Sequence, residues 1–113
     1  MKEYLFVYGM FRDAARPLLG EYLHCGRASV YGRIYRVNEF YPGYVETNDG
    51  SIVHGDIFLI DPIIFPKLDD FEGHEYIRRK IKTTNDIDCW IYEYKYNVNH
   101  FKEIKSGDWL IRI

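Results

Sequence analysis

Two stretches of this 113-residue chain carry groups whose local setting bears on chemistry. In the first, Val7-Tyr8-Gly9-Met10-Phe11-Arg12, a glycine follows directly on the apolar run of Tyr4, Leu5 and Phe6. A glycine there makes an ordinary tight turn. Alternatively, by taking a positive φ, it leaves successive backbone N–H groups facing one concavity that holds a carboxylate or phosphate. The second stretch is Leu68-Asp69-Asp70-Phe71-Glu72-Gly73. If a helix runs to Phe71, Glu72 lies at its C-terminal end, where the macrodipole disfavours a carboxylate and raises its pKa. Desolvation beside Phe71 and Tyr76 pushes the same way and suits a general acid/base. A solvated carboxylate next to Asp69 and Asp70 is the reading the sequence leaves open beside it.

The other reactive residues form no motif. His24, His54, His74 and His100 show no HxH or HExxH spacing, so no metal site is expected. Cys25 and Cys89 lie far apart with no CxxC or Cys/His cluster, and buried structural cysteine is the commoner outcome. Ser29, Ser51 and Ser106 sit in no nucleophile-elbow context, which disfavours covalent catalysis. Arg78-Arg79-Lys80, Arg33 and Arg36 are interleaved with tyrosines but alternate faces on strands, so they read as solvated surface rather than an RNA platform.

These groups must be positioned by one domain, expected over residues 1–113, because 47% hydrophobic residues in a chain of this length bury one real core. The net charge of -2, from 15 basic and 17 acidic residues without blocks, gives no footprint for nucleic acid. No apolar run is long enough to span a bilayer, and no signal peptide is expected before Tyr4. With two cysteines far apart in sequence and in no motif, the chain is expected to be soluble, reduced and cytoplasmic, and no membrane partner is expected.

Aromatic residues make up 18% of the chain, mostly in alternations that suit half-buried strands. Tyr4 to Tyr8 reads as a strand buried on both faces. Asp13 caps an expected helix from Ala14 to Leu23, with Leu18, Leu19, Tyr22 and Leu23 on its apolar face and Gly26 ending the segment. Ser29 to Val37 reads as a strand in which Gly32 marks a bulge or close packing. Phe40-Tyr41-Pro42-Gly43 is loop punctuation, and Asn48-Asp49-Gly50 predicts a hairpin between Tyr44–Thr47 and Ile52–Ile60. Asp61-Pro62 opens a helix that Gly73 stops. Tyr76–Thr83 and Cys89–Tyr96 pair as a second hairpin. Six strands and two helices without regular βαβ crossovers give an α+β fold. Closing the mostly antiparallel sheet into a barrel accounts for glycines within its strands.

In this order and spacing, VYGMFR, YPGYV, VHGDIFLID, LDDFEGHEYIRR and CWIYEY resemble the γ-glutamylcyclotransferase-like family, which includes γ-glutamylamine cyclotransferases and AIG2-like proteins. The likeness runs through nearly the whole chain to the SGDWL tail. It implies a small mixed, mostly antiparallel β-barrel with flanking short helices. It also implies that Tyr8, Gly9, Met10 and Phe11 stand where the family has Tyr-Gly-Ser/Thr-Leu, whose backbone binds the γ-glutamyl moiety. Glu72 matches the family's catalytic glutamate, Tyr76 and Arg78 its Tyr-x-Arg, and Tyr92 the tyrosine of its late strand. Pro42 and Gly43 complete the expected substrate-binding set. Met10 and Phe11 depart from the pattern: where the backbone binds, Met10 costs little, and where the hydroxyl binds, substrate choice changes.

The activity so implied releases 5-oxoproline and a free amine from a γ-glutamyl amine or γ-glutamyl amino acid, a small-molecule substrate, with no cofactor or metal. A non-catalytic binder of a small carboxylate or amino acid on the same fold is the alternative. A purely structural domain requires instead that Glu72 be exposed, with no pocket joining it to Gly9. The wall that selects the leaving amine is expected from Phe40 to Tyr44 and from Trp90, Tyr92 and Tyr94, with strand register deciding which face inward.

Overall fold

The computed structural model describes residues 1–12 and 16–112. Its scaffold is one helix and a curled, mostly antiparallel sheet of eight strands, a half-barrel of the α+β class. The strands are β1 (Glu3–Val7), β2 (Tyr22–Tyr31), β3 (Arg33–Arg36), β4 (Pro42–Val45), β5 (Ile52–Ile60), β6 (Tyr76–Lys82), β7 (Asp88–Tyr94) and β8 (Lys102–Glu103). They are ordered β2-β5-β1-β7-β4-β3-β8, and β6 pairs with β7 off this path.

β1 has no polar alternation because both its faces are covered. Leu5 and Val7 pack with Phe58, Phe65, Leu68 and Tyr92, while Phe6 and Tyr8 enter a second cluster with Ile34, Tyr44, Val53 and Ile91. β7 has β6 along the whole of one edge, with Tyr76 opposite Tyr94 and Lys82 opposite Asp88. Its other edge takes two parallel neighbours in turn, β1 through Leu5 opposite Trp90 and β4 through Tyr44 opposite Glu93. The sheet therefore forks where β1 ends and β4 begins.

Helix α1 (Phe65–Glu72) follows a 3-10 turn, Pro62–Ile64, whose Asp61 side chain accepts from the Ile63 N–H at 3.0 Å. Pro66 falls in the first turn, where its missing donor costs nothing. Gly73 ends the helix at φ 83, its N–H bonded to the Asp69 carbonyl at 3.0 Å. Phe65 and Leu68 face the sheet.

Three sequence expectations need correction. Asp13, Ala14 and Ala15 of the expected first helix lie outside the described residues. The remainder is a 3-10 turn, Arg16–Leu19, followed by β2 from Tyr22, and of the expected apolar face only Leu19 is buried. Gly26 lies not at a helix end but at the register shift of β2 between His24 and Arg27, which bends the strand along β5. The segment from Ser29 to Val37 is two strands divided at Gly32, where a φ of 151 and a Cβ that would stand 2.4 Å from the Tyr44 ring admit no side chain.

The third correction concerns Asn48-Asp49-Gly50, which turns the chain without making a hairpin. β4 pairs with β3 and β7, whereas β5 pairs with β1 and β2. Asp49 accepts from the Thr47 hydroxyl at 2.8 Å and the Ser51 N–H at 3.0 Å, so the turn is stabilised locally. The strands it joins find their partners across the fold. The second expected hairpin, β6 with β7, is present.

Candidate active site

A cavity of about 300 Å³ opens where the sheet forks. Its floor is the end of β1 and the residues after it: Val7, Tyr8, Gly9 and Phe11. Gly9 is there for closeness rather than for left-handed backbone. Its φ is not positive, but a Cβ at this position would stand 2.8 Å from Cδ of Pro42, below any ordinary contact. The chain then tightens into a 3-10 turn, Met10–Arg12, closed by the Arg12 N–H on the Gly9 carbonyl at 3.0 Å. Such a turn gives its first N–H groups no partner within itself.

Glu72, the last residue of α1, lines the same cavity. Phe71 beside it leans on Phe11, ring centroids 5.5 Å apart, and this contact holds the helix end against the loop. Burial pushes the Glu72 carboxyl up to about 7, into the range where a carboxylate both takes and returns a proton at neutral pH. Glu72 is half-buried and joined to Gly9 by the cavity, contrary to what a purely structural domain requires.

Three tyrosines brace the fork. Tyr8 Oη donates to the Tyr92 carbonyl at 2.6 Å and accepts from the Tyr44 N–H at 3.1 Å, tying the end of β1 to β7 and β4 together. Tyr76 Oη donates to the Pro42 carbonyl at 2.7 Å, and Tyr92 Oη to Asp69 Oδ1 at 2.6 Å. Asp69 also accepts from Arg78 Nε at 2.9 Å, and the guanidinium lies over Phe65 and Trp90, 4.0 and 4.6 Å from the ring centroids. Burial holds the Tyr8, Tyr76 and Tyr92 hydroxyls well above the usual phenol range, and they stay neutral.

Of the expected site residues, Tyr8, Gly9, Phe11, Pro42, Glu72, Tyr76 and Tyr92 line one cavity. Gly43 has another place, packed so that a Cβ would lie 2.9 Å from Tyr94 and from Val37, where β4 runs beside β7. Met10 opens the 3-10 turn. Phe40 and Tyr41 form part of the wall as expected. Trp90 and Tyr94 do not: they share the face of Tyr92, but residues two apart along a strand are separated by about 6.8 Å. Trp90 reaches Phe65 and donates to Glu3, and Tyr94 meets Tyr76 and Phe101 edge-to-face. Arg78 belongs to a shallower depression on the far side of Tyr76 and Tyr92.

One feature around the site has no sequence signal. Arg12, directly after Phe11, is almost fully buried between two carboxylates, Nε to Asp56 at 2.7 Å and Nη1 to Asp108 at 2.8 Å. His24 and Arg27 bind the outer oxygens of the same two groups at 3.0 and 3.2 Å. Partners 44 and 96 positions away make no pattern in the chain. The basic residues Arg33, Arg78, Arg79 and Lys80 all pair with carboxylates.

Known proteins resemble the chain in sequence and in fold. Residues 5–111 match the family model described as Gamma-glutamyl cyclotransferase, AIG2-like. The chain is 40% identical over 74 residues to the Gamma-glutamylcyclotransferase family protein YtfP of Escherichia coli, a match covering 64% of this chain and 63% of that protein. It is 34% identical over 118 residues to the corresponding protein of Citrobacter rodentium, covering 96% of each. Its fold superimposes on an AIG2-like protein from Mus musculus with a TM-score of 0.73 at 18% identity, over 99% of this chain and 84% of that one.

Proposed function

The chain belongs to the Gamma-glutamyl cyclotransferase, AIG2-like family, and from that premise we propose that it cyclises γ-glutamyl compounds to 5-oxoproline with Glu72 as the proton carrier. The observation that carries this reading is Glu72 itself, a carboxyl raised to about 7 on the wall of a cavity whose floor is the Gly9 loop. The backbone of Gly9 to Phe11 holds the γ-glutamyl end. Ionised Glu72 takes a proton from the α-ammonium, and the freed amine attacks the γ-carbonyl carbon of the same molecule. The new C–N bond closes a five-membered ring, the old amide C–N bond breaks as protonated Glu72 gives its proton to the departing nitrogen, and the ring nitrogen's second surplus proton follows by way of Glu72, so that the amine leaves as an ammonium and Glu72 ends ionised. Atoms and charge balance within the substrate and Glu72.

Such intramolecular attack already carries an effective molarity of up to about 10⁵ M or more when well oriented. The protein has to fold the substrate into a near-attack geometry and relay protons from the attacking to the leaving nitrogen. The neutral tyrosines suit that role, because their hydroxyls are committed to the protein and fix the walls, while the apolar lining excludes water. Incubation of the purified protein with γ-glutamyl dipeptides, γ-glutamyl-lysine and γ-glutamyl amines, read by mass spectrometry, is expected to yield 5-oxoproline and the free amine. No product from any compound, with the fold intact, overturns the activity.

A further inference from the structure

The composition of the cavity wall speaks to the half of the substrate that leaves. We propose that the leaving amine is uncharged and apolar, carrying a group about the size of one aromatic ring, and that amines bearing an additional carboxylate or ammonium are poor substrates. The assignment rests on the cyclotransferase reading above.

Among the described residues that line the cavity, Glu72 is the only one with a charge. The rest of the wall around it is aromatic: Phe11, Phe40, Tyr41, Phe71, Tyr76 and Tyr92. Of its four tyrosines, Tyr8, Tyr76 and Tyr92 already spend their hydroxyl protons on the Tyr92 carbonyl, the Pro42 carbonyl and Asp69. The two arginines nearest in the chain to lining residues are also committed, Arg12 to Asp56 and Asp108 and Arg78 to Asp69. A γ-glutamyl amino acid would bring a second carboxylate into a space that already holds Glu72 and offers no cation, and an unpaired buried charge is expensive. A second ammonium would be drawn to the aromatic faces, but it would also compete with the α-ammonium for Glu72 and pull down the proton affinity the reaction uses.

Size points the same way. A dry apolar cavity of about 150 Å³ is enough for one benzene. The cavity of about 300 Å³ therefore has room for a γ-glutamyl group and one ring, with exposed Phe40 and Phe71 at its mouth.

The test uses γ-glutamylbenzylamine, γ-glutamylalanine and γ-glutamylcadaverine, with rates and Kd both measured on the native protein, which keeps the Glu72 charge, and Kd taken from rapid mixing before turnover. The benzylamine compound is expected to bind at least about tenfold more tightly, and to react with a kcat/KM higher by at least the same factor. Phe40→Arg, at an exposed position that tolerates a cation, is expected to shift the ratio at least about tenfold toward γ-glutamylalanine. If either charged compound binds or reacts within about threefold of the benzylamine compound, the assignment falls while the cyclotransferase activity stands. If nothing is turned over but the benzylamine compound still binds tightest, the reaction falls and the assignment of the pocket stands. If none of the three binds, both fall.

Discussion

At the scale of single residues, Glu72 decides most. As the base of the proposed reaction it must be ionised in the free enzyme, so kcat/KM is expected to rise with pH through about 7 and level off above it, a limb that 5-oxoproline formation across a pH series would trace. Glu72→Gln removes the proton carrier and leaves the shape. Its expected loss is about 10²–10⁴-fold in kcat, with unchanged circular dichroism. The same group sets a stability signature of opposite sign to the usual carboxylate. Its pKa is raised from 4.5 to about 7 by burial, so between those values the folded state binds more protons than the unfolded one. The contribution of the neutral acid is complete below 4.5 and is lost as pH climbs through 7. Urea unfolding near pH 5 and near pH 8 is expected to show the native protein losing roughly 2–3 kcal/mol relative to Glu72→Gln over that interval; parallel pH dependences in the two proteins would contradict a buried Glu72.

At the scale of elements, the loop from Gly9 to Arg12 is a strand end held from three sides. Phe11 meets Phe71 of the helix, Gly9 meets Pro42 of β4, and Arg12 is drawn the other way into Asp56 of β5 and Asp108, which caps the 3-10 turn Trp109–Ile111. A buried ion cluster adds little net stability when complete, but removing one partner leaves uncompensated charge. Arg12→Met strands two buried carboxylates and is expected to cost about 3–5 kcal/mol in urea unfolding. Asp108→Asn keeps Arg12 paired with Asp56 and the cap on the Leu110 N–H available, so a smaller loss is expected. Equal and negligible losses in both variants would mean the cluster is solvated. Its outer partners do not substitute for the inner pair, since the His24 and Arg27 side chains are 41% and 68% exposed and well screened.

At the scale of the whole molecule, the sheet is most secure where both faces are covered. Backbone amides of β1, β5 and β7 in the two apolar clusters are expected to exchange with deuterium last. The edge strand β8 and the exposed N-terminal half of β2 before its bulge should exchange first. An order in which β2 outlasts β7 would contradict this architecture. Ligand occupancy would tighten the fork between β1 and β4, and at a concentration near 100 times Kd it is expected to stabilise the protein by about 2.7 kcal/mol.

The sequence by itself determined the local features: the apolar first strand, the Asp61-Pro62 start and Gly73 end of the helix, the β6–β7 pair, and Glu72 at a helix C-terminus. Each rests on propensity, capping or alternation within a few residues. It also carried the ordered motifs that mark the family, and most of the residues that meet at the cavity. Only the tertiary structure decided that Asn48-Asp49-Gly50 joins unpaired strands and that Tyr22 and Leu23 are strand rather than helix. It alone placed Tyr92 in the pocket without Trp90 or Tyr94, and Arg12 into an ion cluster. Those outcomes turn on partners tens of positions away, and a chain read in order carries no record of which distant strand or carboxylate will offer the better burial. The same is true of Gly9: its strand end was legible, while its need to be glycine came from the ring of Pro42 pressed against it across the fork.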